Sequence, residues 1–267
     1  MKIVRVDGSE KIKLDMLDPD DTGGLQGKDE AEVLLSKERE RIVDLQERLF
    51  AEGKQSLLIV LQATDTGGKD GTIEHVFRGV NPQGCRVSSF KQPTEDELAH
   101  DSLWRYHRET PRRGMIRIFN RSHYEEVLVV RVKKLVDQKV WTRRYDEIND
   151  FERLLVDNGT RVIKFFLNIS KEEQKERLQA RLEDPSKLWK FNVADLADRD
   201  LWDDYRDAFQ DAINKCATPD APWIVVPSNH KWYRNLVVAR TVADTLESMN
   251  PQYPDPDPDL GNIVIPD

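Results

Sequence analysis

The stretch Leu57 to Thr72, reading LLIVLQATDTGGKDGT, limits what this chain can fold into more than any other. Its apolar run Leu57-Leu58-Ile59-Val60-Leu61 is too short for a buried helix and reads as a strand covered on both faces. The turn Thr66-Gly67-Gly68 follows, then Lys69, and the amphipathic run Thr72-Ile73-Glu74-His75-Val76-Phe77 predicts a helix. Strand, glycine turn, lysine and helix together form the context in which a phosphate-loop pattern carries structural meaning. Gly67 and Gly68 let successive N–H groups turn inward around an anion-sized nest. The helix starting near Asp70 adds its positive dipole end, and Lys69 adds a full charge. Thr66, Gly67, Gly68, Asp70 and Gly71 are therefore the phosphate-binding candidates.

The match to G-x-x-x-x-G-K-[ST] is imperfect. Ala63 stands where the first glycine belongs, and Asp70 stands where a Ser or Thr would touch magnesium. Asp65, inside the loop, would repel a phosphate unless it holds a metal that bridges to it.

Composition narrows the class. Hydrophobic content of 38% is low and charged content of 34% is high, yet apolar runs recur at regular intervals. That combination fits a sheet buried under charged amphipathic helices. A net charge of −8 argues against nonspecific binding to nucleic acid or a membrane surface, so any polyanion must meet a local basic patch. Two cysteines, Cys85 and Cys216, suggest neither a disulfide framework nor a zinc cluster. With no apolar signal region and no run of membrane-spanning length, a cytoplasmic location is expected.

In chain order, weak alternation over residues 2–14 around Asp7-Gly8 suggests a hairpin. A helix is predicted from about Glu30 to Ala51, with Leu34, Leu35, Ile42, Leu45 and Leu49 on one face and Gly53 as its stop. Further strands are predicted at Cys85–Phe90, Met115–Phe119, Val162–Leu167 and Trp223–Val226. Thr94–Glu97 and Ser170–Glu173 read as capping boxes, and helices are expected over about Arg143–Asn158 and Trp232–Met249. Between Glu183 and Ala208 the chain is charged and irregular, with Trp189 and Trp202 as expected anchors. The tail from Pro251 alternates Pro with Asp through Asp259 and should be extended or mobile. Strands separated by helices imply a parallel sheet with helices on both faces and ligands at the carboxyl ends of its strands. The fold expected is thus a three-layer α/β/α phosphate-loop domain over residues 1–267 with five parallel strands. Residues 1–55 form an N-terminal extension of it, about 170–208 a helical lid, and 251–267 the tail.

Two other groups of residues carry chemistry. Asn120 stands after the third strand, where phosphate-loop enzymes usually present an Asp to magnesium, and Arg121 beside it can fork onto a phosphate. The alternative is a polar helix cap with Arg121 in a structural ion pair. Arg177 and Arg181 lie four apart on one helix face, near Lys187 and Lys190, which hints at an anionic ligand. Glu173, Glu176 and Glu183 are close enough to pair with them, so a solvated charged face is the rival reading.

Taken together, LQATDTGGKDGT, SFKQPTEDEL, FNRSHYEEVLVVRV, RLEDPSKLWKF and APWIVVPSNHKWYRN resemble the polyphosphate kinase 2 family over nearly the whole chain. The resemblance implies a nucleotide-kinase-like fold with a helical lid. It also implies Mg2+ and phosphate transfer between inorganic polyphosphate and adenine or guanine nucleotides. It assigns Asp65, Lys69 and Arg121 to catalysis, Asp65 to the metal, and Asn120, Glu125 and Glu126 to the nucleotide. Arg177, Arg181, Lys187 and Lys190 become the polyphosphate-binding lid. Many members carry Asp where this chain has Asn120, and the FNRSHYE form with Glu125 is similar to the subgroup accepting AMP as well as ADP. Homodimers or homotetramers are implied too. Two alternatives stand beside this reading: an ATP-dependent nucleoside monophosphate kinase, and a non-catalytic polyphosphate or nucleotide sensor.

Overall fold

The computed structural model describes residues 3–257, 263 and 265. Six strands form one sheet: β1 (Val4–Val6), β2 (Ser56–Gln62), β3 (Cys85–Ser89), β4 (Ile116–Asn120), β5 (Thr160–Asn168) and β6 (Trp223–Pro227). Their order across the sheet is β1-β6-β5-β2-β4-β3, and every pairing is parallel except β1 with β6. The early helices are α1 (Lys28–Glu52), α2 (Lys69–Val76), α3 (Glu95–Leu98), α4 (Trp104–His107) and α5 (Val129–Val132). The later ones are α6 (Gln138–Asp157), α7 (Lys171–Glu183), α8 (Ala194–Asp200), α9 (Trp202–Cys216) and α10 (Lys231–Met249).

The strand period of two sorts side chains into two cores, one on each face of the sheet. Leu57, Ile59 and Leu61 of β2 join Ile163, Phe165 and Leu167 of β5 against α1, α2 and α10. Leu58 and Val60 join Val162, Phe166 and Trp223 against α6 and α9. All seven residues of β2 are buried, as its unbroken apolar run requires. Each such Leu, Ile or Val contributes about 1.5–3 kcal/mol by leaving water. Helix α1 ends where Gly53 takes the left-handed conformation at φ 64°.

Three expectations are corrected here. The N-terminal segment is not a hairpin. Val4–Val6 pairs with Trp223–Val225 as a sixth, antiparallel edge strand. The chain after Gly8 turns to α9 instead, where Ile12 N donates to Asn214 Oδ1 at 2.8 Å and Leu14 N to Gln210 Oε1 at 3.0 Å. Side-chain acceptors 202 and 196 positions away have replaced the local partner strand, a non-local choice that alternation cannot signal. The segment 183–208 is largely helical, and of its two expected anchors only Trp202 is buried. Trp189 is 78% exposed. At Ser170 half the capping box forms: the Ser170 hydroxyl accepts from Glu173 N, while the Glu173 carboxylate accepts from Arg177 Nε at 2.6 Å. The Thr94–Glu97 box is complete. Of the Pro/Asp tail, residues 258–259 lie outside the described residues.

Candidate active site

Parallel strands deliver their following loops to one edge, and the loops after β2, β3 and β4 meet there with residues of the segment 181–195. Asp65, Thr66, Gly68, Lys69, Asp70 and Gly71 line an open cleft of about 750 Å3. Across it stand Lys91, Asn120 and Arg121, and from α7 and the chain after it Arg181, Trp189, Lys190 and Asp195. The turn after β2 depends on its glycines. Gly68 caps α2 at φ 99°, a region other residues rarely adopt. A Cβ at Gly67 would stand 2.4 Å from Ala63 Cβ, so Gly67 is what makes room for the alanine that replaces the first glycine of the pattern.

Thr66 and Arg121 sit at φ 63° and 62°, left-handed without being glycine. Such positions cost about 1–2 kcal/mol each and are held by their surroundings. Arg121 is fixed by its backbone N–H, which donates to Leu61 O at 3.2 Å. Its Nη2 donates to Asp65 Oδ1 at 2.8 Å, and Nη1 lies 3.9 Å from Glu125 Oε2. Lys69 Nζ donates to Ala63 O at 3.2 Å. Burial first, and the Arg121 charge second, pull the Lys69 pKa down to about 8, against the pull of Asp65, Glu125 and Asp70. Asn120 Nδ2 donates to Asp70 Oδ1 at 2.6 Å.

Asp65, Arg121 and Glu125 also line a second cavity of about 40 Å3, walled by Leu128, Val129, Trp202, Tyr205 and Phe209. Asp65 and Arg121 thus border both spaces. Burial raises the Glu125 carboxyl above its ordinary range, although Arg121 and Lys69 oppose this. Glu126 points elsewhere: it accepts from Tyr106 Oη at 3.1 Å and Arg144 Nη1 at 2.6 Å, which occupies it as a structural acceptor.

The cations of 177–190 separate in the same way. Arg181 and Lys190 line the cleft. Lys187 pairs with Asp184 at 2.6 Å on the surface. Arg177, 8% exposed, turns inward and donates to Thr66 O, Ser228 O and Asn229 O at 3.0, 2.6 and 3.1 Å. It braces the loop after β2 from beneath rather than facing the cleft. Gln174 Nε2 adds a bond to Asp65 O at 3.1 Å, so α7 is rooted on the loop through backbone carbonyls.

Asp195 and Arg234 were not singled out by sequence reasoning. Asp195 lines the cleft 3.7 Å from Arg181. Arg234 lies on α10, and a signal for it exists in the sequence: an arginine within KWYRNLVVA has no acidic residue three or four positions to either side.

A family model described as polyphosphate kinase 2 matches residues 26–254. The chain belongs to the polyphosphate kinase 2 family. Within that family, this member is 53% identical over 266 residues to the AMP/ADP-polyphosphate phosphotransferase of Meiothermus ruber, covering 99% of this chain and all of that one. It is 42% identical to the ADP-polyphosphate phosphotransferase of Rhodopseudomonas palustris, covering 96% and 93%. The crystal structure of polyphosphate kinase 2 from Arthrobacter aurescens superposes with a TM-score of 0.92 at 45% identity, covering 96% of this chain and 92% of that one. Among the described residues, no helix is long and apolar enough to cross a membrane.

Proposed function

We propose that this enzyme moves the terminal phosphoryl group between inorganic polyphosphate and AMP or ADP, reversibly and with magnesium. The observation that carries the reading is the meeting of Lys69, Arg121, Arg181 and Lys190 on one open cleft beside the glycine turn. Both substrates are polyanions, and the attacking oxygen is a phosphate already ionised near neutral pH. Catalysis is therefore mostly positioning and charge neutralisation rather than proton transfer. Loop N–H groups, Lys69 and Arg121 hold the transferred group, and Arg181 and Lys190 hold the polyphosphate chain. One phosphoanhydride replaces another, so concentrations set the direction.

Magnesium fits this donor set. No group of three or more His, Cys, Asp or Glu gathers among the described residues, and magnesium is commonly held by one or two carboxylates with substrate phosphates and water. Asp65, on the cleft beside Lys69, would hold it, and the ion would neutralise phosphate oxygens there. The unpaired thiols of Cys85 and Cys216 suit the cytoplasmic setting this reading includes. The homodimer or homotetramer implied by the resemblance is read by light scattering of the purified chain.

The test is incubation with long-chain polyphosphate, magnesium and either AMP or ADP, without ATP. Formation of the next higher phosphate of either nucleotide supports the reading, and no product from either overturns it.

Two further expectations arise here. Glu125 borders the smaller cavity beside Asp65 and can support the gap left by an acceptor one phosphate shorter. Glu125→Asn is expected to depress AMP phosphorylation more than ADP phosphorylation. Equal losses would remove Glu125 from acceptor choice.

If Arg181 and Lys190 track the polyphosphate backbone, binding releases counterions and weakens as salt rises. Arg181→Ala and Lys190→Ala are expected to raise the polyphosphate KM far more than the nucleotide KM, and to flatten its dependence on ionic strength. Parallel salt slopes for wild type and both variants would reduce these residues to surface pairs worth under about 1 kcal/mol.

A further inference from the structure

Arg234 is a buried cation without a counterion. It is 2% exposed and does not line the cleft. Its Nε and Nη2 donate to Asn235 Oδ1 at 3.2 and 2.8 Å, and Nη1 donates to Gly67 O at 3.5 Å. Among the described residues it forms no ion pair. Burial first, and Arg177 second, pull its pKa down to about 9, and no carboxylate acts in the other direction. An arginine in this state is still a cation at neutral pH, and its burial without a partner destabilises the ligand-free chain.

The guanidinium is held against the phosphate loop. A Cβ on Gly68 would fall 1.9 Å from Arg234 Nη1, so the second loop glycine leaves the space that the guanidinium occupies. Neighbouring charge does not neutralise it. After burial, Arg177 lowers the pKa of Arg234; burial first, and then Arg177 and Arg234, lower that of Lys231, and the carboxylate acting on Lys231 is Glu173, already bound to Arg177 at 2.6 Å. The side of the loop facing away from the cleft is therefore electropositive beyond its own internal pairing.

We propose that Arg234 is a positioning residue for the phosphate loop, pressed on Gly67 and Gly68 from behind, whose missing counterion is the polyphosphate chain on the other side of the loop backbone. It touches no substrate. It orients the loop carbonyls away from the nest and adds a positive potential across one layer of backbone, where little water intervenes to screen it. The proposal rests on the reading that the donor chain occupies this loop. It predicts a trade in which the charge costs stability when the loop is empty and returns it when a phosphate chain is bound. A merely structural bracket predicts the opposite for the empty protein.

The experiment compares wild type, Arg234→Gln and Arg234→Lys by thermal unfolding with and without inorganic triphosphate, followed by steady-state kinetics. Wild type should be stabilised by triphosphate. If it is not, the reading of the loop as the donor site fails, and this inference with it, before any variant is considered. Arg234→Gln should unfold at or above the wild-type midpoint when empty. It should bind triphosphate about 10- to 100-fold more weakly, the range seen when an orienting outer partner of a charged site is lost. Its polyphosphate KM should rise by at least about tenfold, while the acceptor KM stays within about twofold, a split that a general packing defect would not give. Arg234→Lys, which keeps the charge, should retain most of the triphosphate response. The inference is overturned if Arg234→Gln binds triphosphate like wild type, or if it is clearly less stable or unfolded when empty. It is also overturned if Arg234→Lys loses as much response as Arg234→Gln.

Discussion

Lys69→Ala is expected to lower turnover by at least about 100-fold with the fold intact, the scale of losing one preorganised contact to developing charge. Lys69 lies partly exposed at the cleft, bonded to one backbone carbonyl, so its loss removes little that holds the chain together. Asp65→Asn should act on the same scale for a second reason. The amide no longer draws Arg121 Nη2 at 2.8 Å with a full charge, and it is a poorer partner for magnesium. The pH profile adds an independent check. Lys69 is cationic below a pKa of about 8, so kcat/KM for polyphosphate should fall as pH rises through that value. Circular dichroism and single-turnover rates decide the matter: a folded variant with near-wild-type turnover would displace the catalytic centre from this loop.

The largest stability effect is expected well below the cleft. Lys164, fully buried on β5, donates to Tyr124 Oη at 3.0 Å and Cys216 O at 2.6 Å, and pairs with Glu152 at 2.5 Å. Glu152 also accepts from Tyr124 Oη at 2.9 Å and bonds His123 Nε2 at 3.0 Å. Glu152→Ala strands the lysine charge and should cost about 3–5 kcal/mol, a large share of the roughly 5–15 kcal/mol of a folded domain. The double variant Glu152→Leu with Lys164→Met removes both charges and should recover most of the loss. Denaturant titration measures both, and a single-variant cost under about 1 kcal/mol would mean that water reaches the network.

The network also sets an acid limit. Burial pushes the Glu152 carboxyl up, but Lys164 and His123 outweigh it and hold it below its ordinary 4.5. Burial takes His123 below its ordinary 6.5, only partly offset by Glu152. Both groups bind protons more readily in the unfolded chain, so stability falls as pH falls. It falls first below about 6.5 through His123, then through the carboxylate range. His123 and Tyr124 belong to the turn that carries Arg121 and Glu125, so the same acid limit bears on the site.

What could be read from the sequence was what neighbours in the chain decide. The all-apolar run of β2, the glycine turn, Gly53 as a stop and the Thr94–Glu97 box each depend on a few adjacent residues. Lys69, Lys91 and Arg121 could be placed on one cleft because parallel strands deliver their loops to one edge, whereas Ser228–Lys231, expected on the same edge, do not line it, and Arg181 and Lys190 were reached only through the resemblance. Misplacements arose where a side chain had two directions open to it. Arg177 and Arg181 share a helix face in projection, yet the shorter path from Arg177 leads to three buried carbonyls and the path from Arg181 leads to the cleft. Glu126, next to Glu125, is claimed by Tyr106 and Arg144, partners 20 and 18 positions away. Trp189 looked like an anchor by residue type, but only tertiary packing decides whether a large apolar side chain is covered.

The strand order carries a consequence for synthesis. β1 lies beside β6, and Arg5 bonds the Pro219 carbonyl 214 positions further along. At about 5–20 residues per second, the first strand waits about 10–40 s on the ribosome for β6. The phosphate loop waits too, since Arg234 joins Gly67 from 167 positions downstream. A nascent chain already holding its glycine turn, with Arg177 and Gln174 able to reach Thr66 O and Asp65 O, thus still lacks the Arg234 bond behind Gly67 until α10 emerges. The ability to grip a phosphate chain should therefore arrive late and abruptly, near the end of translation rather than with the motif that announces it.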